Sequence, residues 1–386
     1  MAPVTLHLRS ETKPLEHRSA LTPTVTRKLL DNGFKVNIER SPERIFDDKE
    51  FASVGATLVE EGSWPNAPED HIIIGLKELE DKDPFPLKHT HVAFSHCYKN
   101  QGDWEKVLGR FPRGGGTLYD LEFLTDEKGR RVAAFGFHAG YAGAALALLD
   151  WAWQLEHGNK EALPGKGHYQ CKSDLDTEVK EQVSKGVQRN KGKSPRVLVI
   201  GALGRCGRGA LECCRQAGIP EQQLVKWDMD ETAQPGPYNA IKEADAFINC
   251  IYLSEPLPPF ISTDFLKQGT RNLSVVCDVS CDTTNPHNPI PFANQPTYFS
   301  KPTITLPDFL NPPLSYISID HLPSLLPREA SEAFSEALLS SLLQLPERDT
   351  APVWVGAEKM FKEKVALLPQ ALRQRETPVA NGAAKA

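Results

Sequence analysis

The sequence has few of the features that place a protein in a membrane, on nucleic acid or in the secretory pathway. No stretch of the 386 residues approaches the roughly 18 uninterrupted apolar residues that a membrane span needs. The net charge of -6 comes without a basic stripe, so nucleic acid is not an expected partner. The segment 1–5 lacks the basic and apolar regions of a signal peptide. We therefore expect a cytoplasmic protein without membrane association.

The eight cysteines do not form a metal or disulfide pattern. No two of them are spaced as C-x-x-C, and Cys213 and Cys214 are adjacent, so no metal site is expected. Thiols of intracellular proteins are mostly reduced. The C-terminal Ala-Lys-Ala is a poor peroxisomal signal, which favours the cytoplasm over the peroxisome.

Strand and helix patterns alternate through the first third of the chain. Residues 4–8 predict a strand, and Thr22 as cap with Pro23 at the first helical position predicts a helix that ends near Gly33. Further strands are predicted at 34–39, within 51–59 after a short helix, and at 71–76, 91–95, 117–120 and 131–134. This order predicts an α/β fold with a parallel sheet wrapped by helices.

The remaining sequence predicts a second α/β unit. An Ala- and Leu-rich helix at 140–153 leads into a polar insertion at 158–195, and a helix at 209–217 follows a glycine-rich turn. Strands are predicted at 196–200, 224–228, 246–251 and 274–279, and a last amphipathic helix at 331–345. We expect two Rossmann-like domains with the active site in the cleft between them. The predicted divisions are 1–135 with 326–370 for the catalytic domain, 136–325 for the NAD-binding domain and 371–386 for a disordered tail.

A glycine-rich turn between strand and helix predicts a dinucleotide site. Gly201, Gly204 and Gly207 are spaced G-x-x-G-x-x-G, and such glycines let a pyrophosphate approach the backbone N–H groups of a helix N-terminus. Asp228 closes the next strand, where a carboxylate takes the ribose hydroxyls and repels the 2′-phosphate of NADP. Arg205 could pair with a phosphate or be solvated. The predicted cofactor is NAD; a glycine turn without a ligand is the alternative.

Cys206 in this turn and Cys250 after a later strand are both expected at the carboxyl edge of the sheet. A disulfide between them is geometrically conceivable and would impede cofactor entry. Two free thiols are the alternative, which a reducing compartment favours.

Two ionisable residues follow apolar strands of the first domain. Lys77 comes after Ile-Ile-Ile-Gly-Leu and His96 after Val-Ala-Phe-Ser, and ligands of open α/β sheets bind beyond such strand ends. Partial burial would lower the pKa of Lys77, and the neighbouring Glu78 would raise it. Lys77 could then exchange a proton with an amine, and His96 could carry a second one. A non-catalytic residue at a strand end is the alternative for each.

Arginines are the candidates for carboxylate recognition, because a guanidinium matches a carboxylate in bidentate fashion. The candidates are Arg18, Arg130 and Arg131, and a solvated side chain is the alternative for each.

Several segments together resemble a known family. The segment 11–23, Glu-Thr-Lys-Pro-Leu-Glu-His-Arg-Ser-Ala-Leu-Thr-Pro, resembles the opening of the alanine dehydrogenase and transhydrogenase superfamily. Within it, the NAD-dependent, lysine-forming saccharopine dehydrogenases of fungi are more similar. The longest matching motifs are 282–289, Asp-Thr-Thr-Asn-Pro-His-Asn-Pro, and 319–330, Ile-Asp-His-Leu-Pro-Ser-Leu-Leu-Pro-Arg-Glu-Ala. The matching segments span nearly the whole chain, except the insertion at 158–195 and the tail beyond 370.

The resemblance implies oxidation of saccharopine by NAD to an imine, which water hydrolyses to lysine and 2-oxoglutarate. It implies Lys77 as the proton acceptor for the secondary amine and His96 as the acid/base for water and the imine. The implied substrate-binding residues are Arg18, Gln101, Arg131, Phe135, Ser280, Cys281 and Asp282. The implied NAD-binding residues are Arg130, Gly204, Arg205, Asp228, Thr232, Tyr252, Val279, Ile319, Asp320, His321 and Leu322. The residues expected to tune the charge of the site are Lys13, Glu16, Glu78 and Glu122.

Two other functions compete with this hypothesis. An alanine dehydrogenase on the same scaffold would need fewer arginines and no long 282–291 motif. A non-catalytic NAD-binding regulator would need Gly204 and Asp228 but not Lys77 and His96 together. We expect a monomeric enzyme whose partners are small molecules, namely saccharopine, lysine and 2-oxoglutarate.

Overall fold

A computed structural model describes residues 3–79, 85–99, 102–253, 255, 257–281, 283 and 287–375 of the chain. The chain divides into two compact units. The first unit contains Met1–Ala134 and Ser331–Ala386, and the second contains Phe135–Ala330.

The first unit is built on a parallel sheet of six strands. Their order across the sheet is β3-β2-β1-β4-β5-β6, and each neighbouring pair is parallel. The strands are β1 Thr5–Leu8, β2 Lys35–Glu39, β3 Thr57–Val59, β4 Ile72–Ile74, β5 Thr90–Ala93 and β6 Thr117–Asp120. The order reverses between β1 and β4, and the crevice beyond the carboxyl ends of the strands at such a reversal is where open α/β sheets bind ligands.

The helices of the first unit come from both ends of the chain. Thr22 caps α1 by accepting the N–H of Val25 at 3.4 Å, and Pro23 occupies the first turn, as predicted. The helices are α1 Pro23–Asp31, α2 Asp48–Ser53, α3 Trp104–Gly114, α10 Pro352–Val365 and α11 Gln370–Arg373. α10 packs against β6, and α11 against α3. The segment 371–386 was predicted as a disordered tail, but its first three residues belong to α11, and residues 376–386 lie outside the described residues.

The second unit is also built on a six-stranded sheet, in the order β11-β12-β10-β9-β7-β8. Five strands are parallel, as predicted, and the edge strand β11 is antiparallel to β12. The strands are β7 Val197–Ile200, β8 Leu224–Trp227, β9 Ala246–Asn249, β10 Val275–Asp278, β11 Ile304–Leu310 and β12 Pro313–Ile317. β7, β9 and β10 are buried along their whole length, as central strands covered on both faces are.

The described residues of the second unit form five helices of its own and the start of a sixth. They are α4 Gly136–His157, α5 Lys172–Arg189, α6 Arg205–Gln216, α7 Asn239–Glu243, α8 Thr263–Leu266 and α9 Pro327–Leu342, which continues into the first unit. In the part of the chain that is described, no helix combines the length and hydrophobicity of a membrane span.

Glycines bring α4 and α6 unusually close together. A Cβ atom on Gly140 would lie 1.8 Å from the backbone oxygen of Cys206, and one on Gly209 would lie 1.9 Å from that of Phe137. Backbone therefore packs on backbone where the two helices meet. This packing determines where the N-terminus of α6 lies relative to the sheet.

Two sequence predictions were wrong in detail, and one pair of strands was missed. Residues 131–134 form no strand, and Arg131 makes only an isolated bridge with Thr125. The helix predicted at 209–217 begins at Arg205, because the turn is shorter than the glycine pattern suggested. The hairpin of β11 and β12 was not predicted, since β11 is an exposed edge strand with little hydrophobic alternation. The polar insertion contains α5, whose apolar face packs on α4.

Candidate active site

Four of the predicted site residues of the first unit lie at the carboxyl ends of β4, β5 and β6. Lys77 and Glu78 follow β4, His96 follows β5, and Glu122 follows β6. The register pairs Ile74 with Val92 and Ala93 with Asp120, so the three strands end side by side. The sheet thus brings these predicted residues to one edge.

Glu78 connects two other residues of this edge. One carboxylate oxygen lies 3.2 Å from Lys13 Nζ, and the other lies 3.1 Å from His96 Nδ1. The hydrogen bond from His96 holds the pKa of Glu78 far below its usual range. In return, the hydrogen bond to Glu78 raises the pKa of His96. His96 is therefore poised to carry a proton at a higher pH than an ordinary histidine.

Glu78→Gln should lower the pKa of His96. Glutamine can still accept a hydrogen bond, but it lacks the negative charge that favours the imidazolium. The limb of the pH–activity profile that reports His96 should then move to lower pH. An NMR titration of the His96 ring measures the shift directly, with Glu43→Gln beside His17 as the control. An unchanged His96 titration in Glu78→Gln would contradict the assignment.

Lys77 lies close enough to Glu16 and His96 for its charge to shift the pKa of each. The positive charge of Lys77 helps to lower the pKa of Glu16, and it opposes the rise in the pKa of His96. The Lys77 side chain is half-buried. A lysine, a histidine and carboxylates thus form one electrostatically connected group.

Arg18 and Glu16 form a buried ion pair. Arg18 Nε donates to Glu16 Oε1 at 2.8 Å, and Arg18 Nη2 donates to Glu16 Oε2 at 2.7 Å. Each residue is 4% exposed. Burial would raise the pKa of Glu16, but the charge and hydrogen bonds of Arg18 lower it overall. The guanidinium predicted to bind a substrate carboxylate is therefore held in a defined direction by a carboxylate of its own chain.

Glu122 holds two cations at the end of β6. Lys99 Nζ lies 2.7 Å and Arg131 Nη2 lies 3.3 Å from its carboxylate. Burial would raise the pKa of Glu122, but the hydrogen bond and charge of Lys99 lower it overall. Arg130, predicted near the cofactor phosphates, is exposed and paired with Asp126 at 2.9 Å.

Asp120 was not predicted from the sequence. Its carboxylate accepts the N–H groups of Ser95 at 3.2 Å and Glu122 at 2.8 Å, which ties the end of β5 to the end of β6. Burial raises the pKa of Asp120 to about 6. The signal that could have found it is an acidic residue that ends an apolar strand, the same signal that indicated Asp228.

The second unit brings the glycine turn to the end of its sheet. Gly201 has a φ of 86°, a conformation that favours glycine. A Cβ on Gly207 would lie 2.2 Å from the oxygen of Gly201, so no larger residue fits the turn. Gly204 precedes the first residue of α6, whose N-terminal N–H groups suit a phosphate. These residues fit a dinucleotide's pyrophosphate.

Asp228 lies at the end of β8, next to the glycine turn. Its side chain accepts the N–H of Leu203 at 2.9 Å and that of Met229 at 3.0 Å. Thr232 donates its hydroxyl to the Asp228 carbonyl at 2.8 Å. A pocket of about 240 Å³ adjoins this carboxylate. Its lining residues are Ala202, Leu203, Lys226, Trp227, Asp228, Met229, Asp230 and Glu231.

The other predicted cofactor residues of this unit follow neighbouring strands of the same sheet. Tyr252 comes after β9 and is 63% exposed, and Val279 comes after β10. The predicted residues after β12 are Ile319, Asp320, His321 and Leu322. Ile319 and Leu322 are core residues, so the backbone is the part of them that a cofactor could reach.

The predicted substrate residues are divided between the units. Phe135, Ser280 and Cys281 belong to the second unit, whereas Arg18 and Arg131 belong to the first. Gln101 and Asp282 lie outside the described residues.

Ser280 is held in a polar network that was not predicted. Its hydroxyl donates to the buried Asp278 at 2.6 Å, and Asn249 donates to both residues at 2.9 and 3.3 Å. Cys281 has a φ of 48° and receives a hydrogen bond from Ser318 at 3.4 Å. This network orders the turn after β10, which contains the predicted substrate residues Ser280 and Cys281.

Cys206 and Cys250 are free thiols, so the structure represents the reduced alternative. Burial raises the pKa of both thiols, and the charge of Cys206 raises the pKa of Cys250 further. In the described part of the chain, no group of His, Cys, Asp and Glu side chains is arranged to hold a metal ion.

Comparison with known proteins identifies the family. Residues 7–142 match the family described as alanine dehydrogenase/PNT, N-terminal domain. The chain is 62% identical over 364 residues to the "Saccharopine dehydrogenase [NAD(+), L-lysine-forming]" of Yarrowia lipolytica, which covers 94% of this chain and 98% of that protein. It is 60% identical to the protein of the same name from Neurospora crassa, over 97% of this chain and 100% of that protein. The chain belongs to the lysine-forming saccharopine dehydrogenases.

Solved structures support the fold of this saccharopine dehydrogenase family member. An L-alanine dehydrogenase matches with a TM-score of 0.64 at 16% identity, covering 94% of each chain. A transhydrogenase from Sinorhizobium meliloti matches with a TM-score of 0.59 at 16% identity, covering 89% of this chain and 94% of that one. These matches confirm the two-domain Rossmann-like fold. The identity to saccharopine dehydrogenases favours that family over the alanine dehydrogenase alternative.

Proposed function

We propose that this chain oxidises L-saccharopine with NAD and water to L-lysine, 2-oxoglutarate and NADH, the last step of the 2-aminoadipate route of lysine biosynthesis. High identity to lysine-forming saccharopine dehydrogenases over nearly the full chain carries the proposal. The reaction needs a proton acceptor for a secondary amine, cations for several carboxylates and a dinucleotide site. The described residues offer a candidate for each.

Lys77 is the proposed base of the oxidation step. A base must take the amine proton so that the nitrogen lone pair can assist departure of the hydride. NAD, when bound, supplies the hydride acceptor. The charge of Lys77 acts on Glu16 and on His96, and His96 in turn is hydrogen-bonded to Glu78.

His96 is the proposed acid/base of the hydrolysis steps, in which water adds to the imine and lysine leaves. These steps need a group that both takes and returns a proton, and an imidazole does so near neutral pH. Its hydrogen bond to Glu78 defines which ring nitrogen faces the carboxylate and leaves Nε2 for water or substrate. The left-handed backbone at His96, with a φ of 49°, is a strained conformation of the kind that functional sites retain.

Arg18 and Arg131 are the proposed partners of the substrate carboxylates. Glu16 and Glu122 each hold one of these guanidinium groups in place by an ion pair. Prior orientation reduces the entropy that the side chains lose when the substrate binds. Phe135, Ser280 and Cys281 are the proposed substrate contacts of the second unit, with Gln101 and Asp282 proposed from the resemblance.

Gly204, Arg205 and Asp228 are the principal proposed NAD contacts, with the N-terminus of α6 at the pyrophosphate and Asp228 at the adenosine ribose. The pyrophosphate position is supported by the glycine turn, which has no room for a Cβ at Gly207. The ribose position is supported by the pocket beside the Asp228 carboxylate. The remaining proposed contacts are Arg130, Thr232, Tyr252, Val279, Ile319, Asp320, His321 and Leu322.

Asp228→Ala should raise the Kd for NAD by about 10- to 100-fold, because a charged acceptor of hydrogen bonds is lost. The KM for saccharopine should change far less. Isothermal titration with NAD measures the effect. Asp230→Ala is the matched control, since Asp230 lines the same pocket without a side-chain bond to the glycine turn. Equal losses for NAD and saccharopine would contradict the ribose role.

The proposed reaction is tested by NADH formation at saturating NAD with saccharopine, alanine or no amino acid, and with NADP in place of NAD. A signal that requires both saccharopine and NAD and yields lysine is the expected result. A signal with alanine alone would favour the alanine dehydrogenase alternative. NAD binding without turnover of any amino acid would favour a non-catalytic regulator.

We further propose that the protein is a cytoplasmic monomer. The eight cysteines form no disulfide pattern in the sequence, which supports a reducing compartment. Sedimentation equilibrium of the purified protein and fluorescence microscopy of a tagged chain test the two parts.

A further inference from the structure

The backbone of Lys77 is held by side chains rather than by a neighbouring strand. β1 ends at Leu8 and β4 at Ile74, and the last backbone bond between them runs from the Arg9 N–H to the Ile74 carbonyl at 3.0 Å. On the other side, β5 continues to pair, because Phe94 N–H donates to the Leu76 carbonyl at 3.1 Å. The peptide groups around Lys77 that face β1 therefore need other partners.

The Glu11 carboxylate is the partner of two backbone N–H groups at this place. One oxygen of its carboxylate accepts the N–H of Leu76 at 2.6 Å, and the other accepts the N–H of Lys77 at 2.9 Å. The Glu11 side chain is 8% exposed. A carboxylate that accepts two successive N–H groups in a buried place determines the direction of both peptide planes.

The Arg9 guanidinium is the partner of the Lys77 carbonyl. Its Nη2 donates to the Lys77 carbonyl, and its Nη1 donates to the Ser10 carbonyl at 3.1 Å and lies 3.3 Å from Glu11. The side chain is 1% exposed. It passes over Gly75, where an added Cβ would lie 2.4 Å from Arg9 Nε. Gly75 is therefore the residue that gives the guanidinium its path.

We propose that Arg9 and Glu11 form a clamp that positions Lys77 for proton transfer, so that they are positioning residues of the reaction. The N–H and the carbonyl of Lys77 are both held, which leaves the side chain as the part of the residue that moves. The clamp belongs to the first unit, whereas the glycine turn belongs to the second. The inference rests on the proposed role of Lys77 as the base.

A purely structural role would make a different prediction. Burial of a paired charge also contributes to folding, and many buried carboxylates do nothing else. Glu39 offers a matched comparison in the same sheet. It is fully buried and accepts the N–H groups of Ser10 at 2.8 Å, Trp64 at 2.7 Å and Gly62 at 3.1 Å. Glu39→Gln therefore removes a similar carboxylate at the end of β2 rather than beside Lys77.

The test compares Glu11→Gln, Gly75→Ala, Glu39→Gln and Lys77→Met in the full-length enzyme, well below the thermal transition of each variant. Glu11→Gln should lower kcat by about 10- to 100-fold, the cost of a catalytic group misplaced by about an ångström. The KM for NAD should stay the same. The solvent deuterium isotope effect on kcat should rise, because proton transfer becomes slower relative to the other steps. Gly75→Ala, which displaces Arg9 without removing a charge, should give the same pattern.

Glu39→Gln should lower the melting temperature while kcat and the isotope effect of the folded enzyme stay unchanged. The clamp is refuted if Glu11→Gln and Gly75→Ala also lower only the melting temperature. If they do so while Lys77→Met is inactive, the clamp alone is wrong and the proposed base stands. If Lys77→Met keeps the full kcat, the proposed base is wrong, and the clamp falls with it.

Discussion

Lys77→Met should lower kcat for saccharopine oxidation by about 10²- to 10⁴-fold, the range expected for the loss of a general base. Methionine has a similar length and fills the same space, but it cannot accept a proton. The amine of the substrate would then have to lose its proton to water. Steady-state NADH formation across a range of pH measures the loss.

The Kd for NAD should be the same in Lys77→Met as in the unaltered enzyme. All the proposed NAD contacts except Arg130 belong to the second unit, whereas Lys77 belongs to the first. Lys35→Met is a suitable control, since Lys35 is an exposed lysine at the start of β2. A turnover in Lys77→Met close to that of the control would show that Lys77 is not the base. Restoration of activity by small added amines would support the assignment further.

Glu16→Gln should destabilise the first unit by about 3–5 kcal/mol, the usual cost of leaving one member of a buried ion pair without its partner. The pair is nearly inaccessible and bidentate, so water cannot replace the lost carboxylate. The same change should raise the KM for saccharopine, because the Arg18 guanidinium loses the group that orients it. Urea unfolding followed by fluorescence measures the first effect, and initial rates measure the second.

Glu43→Gln is the matched control for this prediction. Glu43 lies 3.7 Å from His17 in the same region, but its side chain is 53% exposed. Its loss should cost less than about 1 kcal/mol, since exposed pairs contribute little. If the two variants unfold at the same urea concentration, the buried pair does not stabilise the unit, and Arg18 must have another support.

Local patterns in the sequence were enough for the elements that carry their own signals. Thr22 and Pro23 mark the start of α1, and β7 is an uninterrupted apolar strand before a glycine turn. Asp228 and Lys77 were predicted as site residues because each follows an apolar strand. Such signals depend on a few successive residues, and burial and backbone conformation act on the same few residues.

Local sequence patterns did not predict the contacts between segments that are distant in the chain. Glu78 meets a lysine 65 positions away and a histidine 18 positions away. The role of Glu11 depends on a peptide group 66 positions later. Nothing near Glu11 in the sequence distinguishes it from a solvated glutamate, because its partners are backbone groups that every residue has. The edge strand β11 was missed for a related reason, since its residues are mostly exposed and show no regular alternation.

The chain order of strands, turns and helices, together with the family motifs, determined the fold class, the cofactor and the choice of Lys77 and His96. These depend on hydrophobic burial and turn geometry, which short segments of the chain encode. Only the tertiary structure decided which carboxylate holds which cation: Glu16 holds Arg18, Glu78 holds His96 and Lys13, and Glu122 holds Lys99 and Arg131. The physical reason is that an ion pair forms wherever the sheet places two charges within reach, and parallel strands bring together residues that the sequence separates widely.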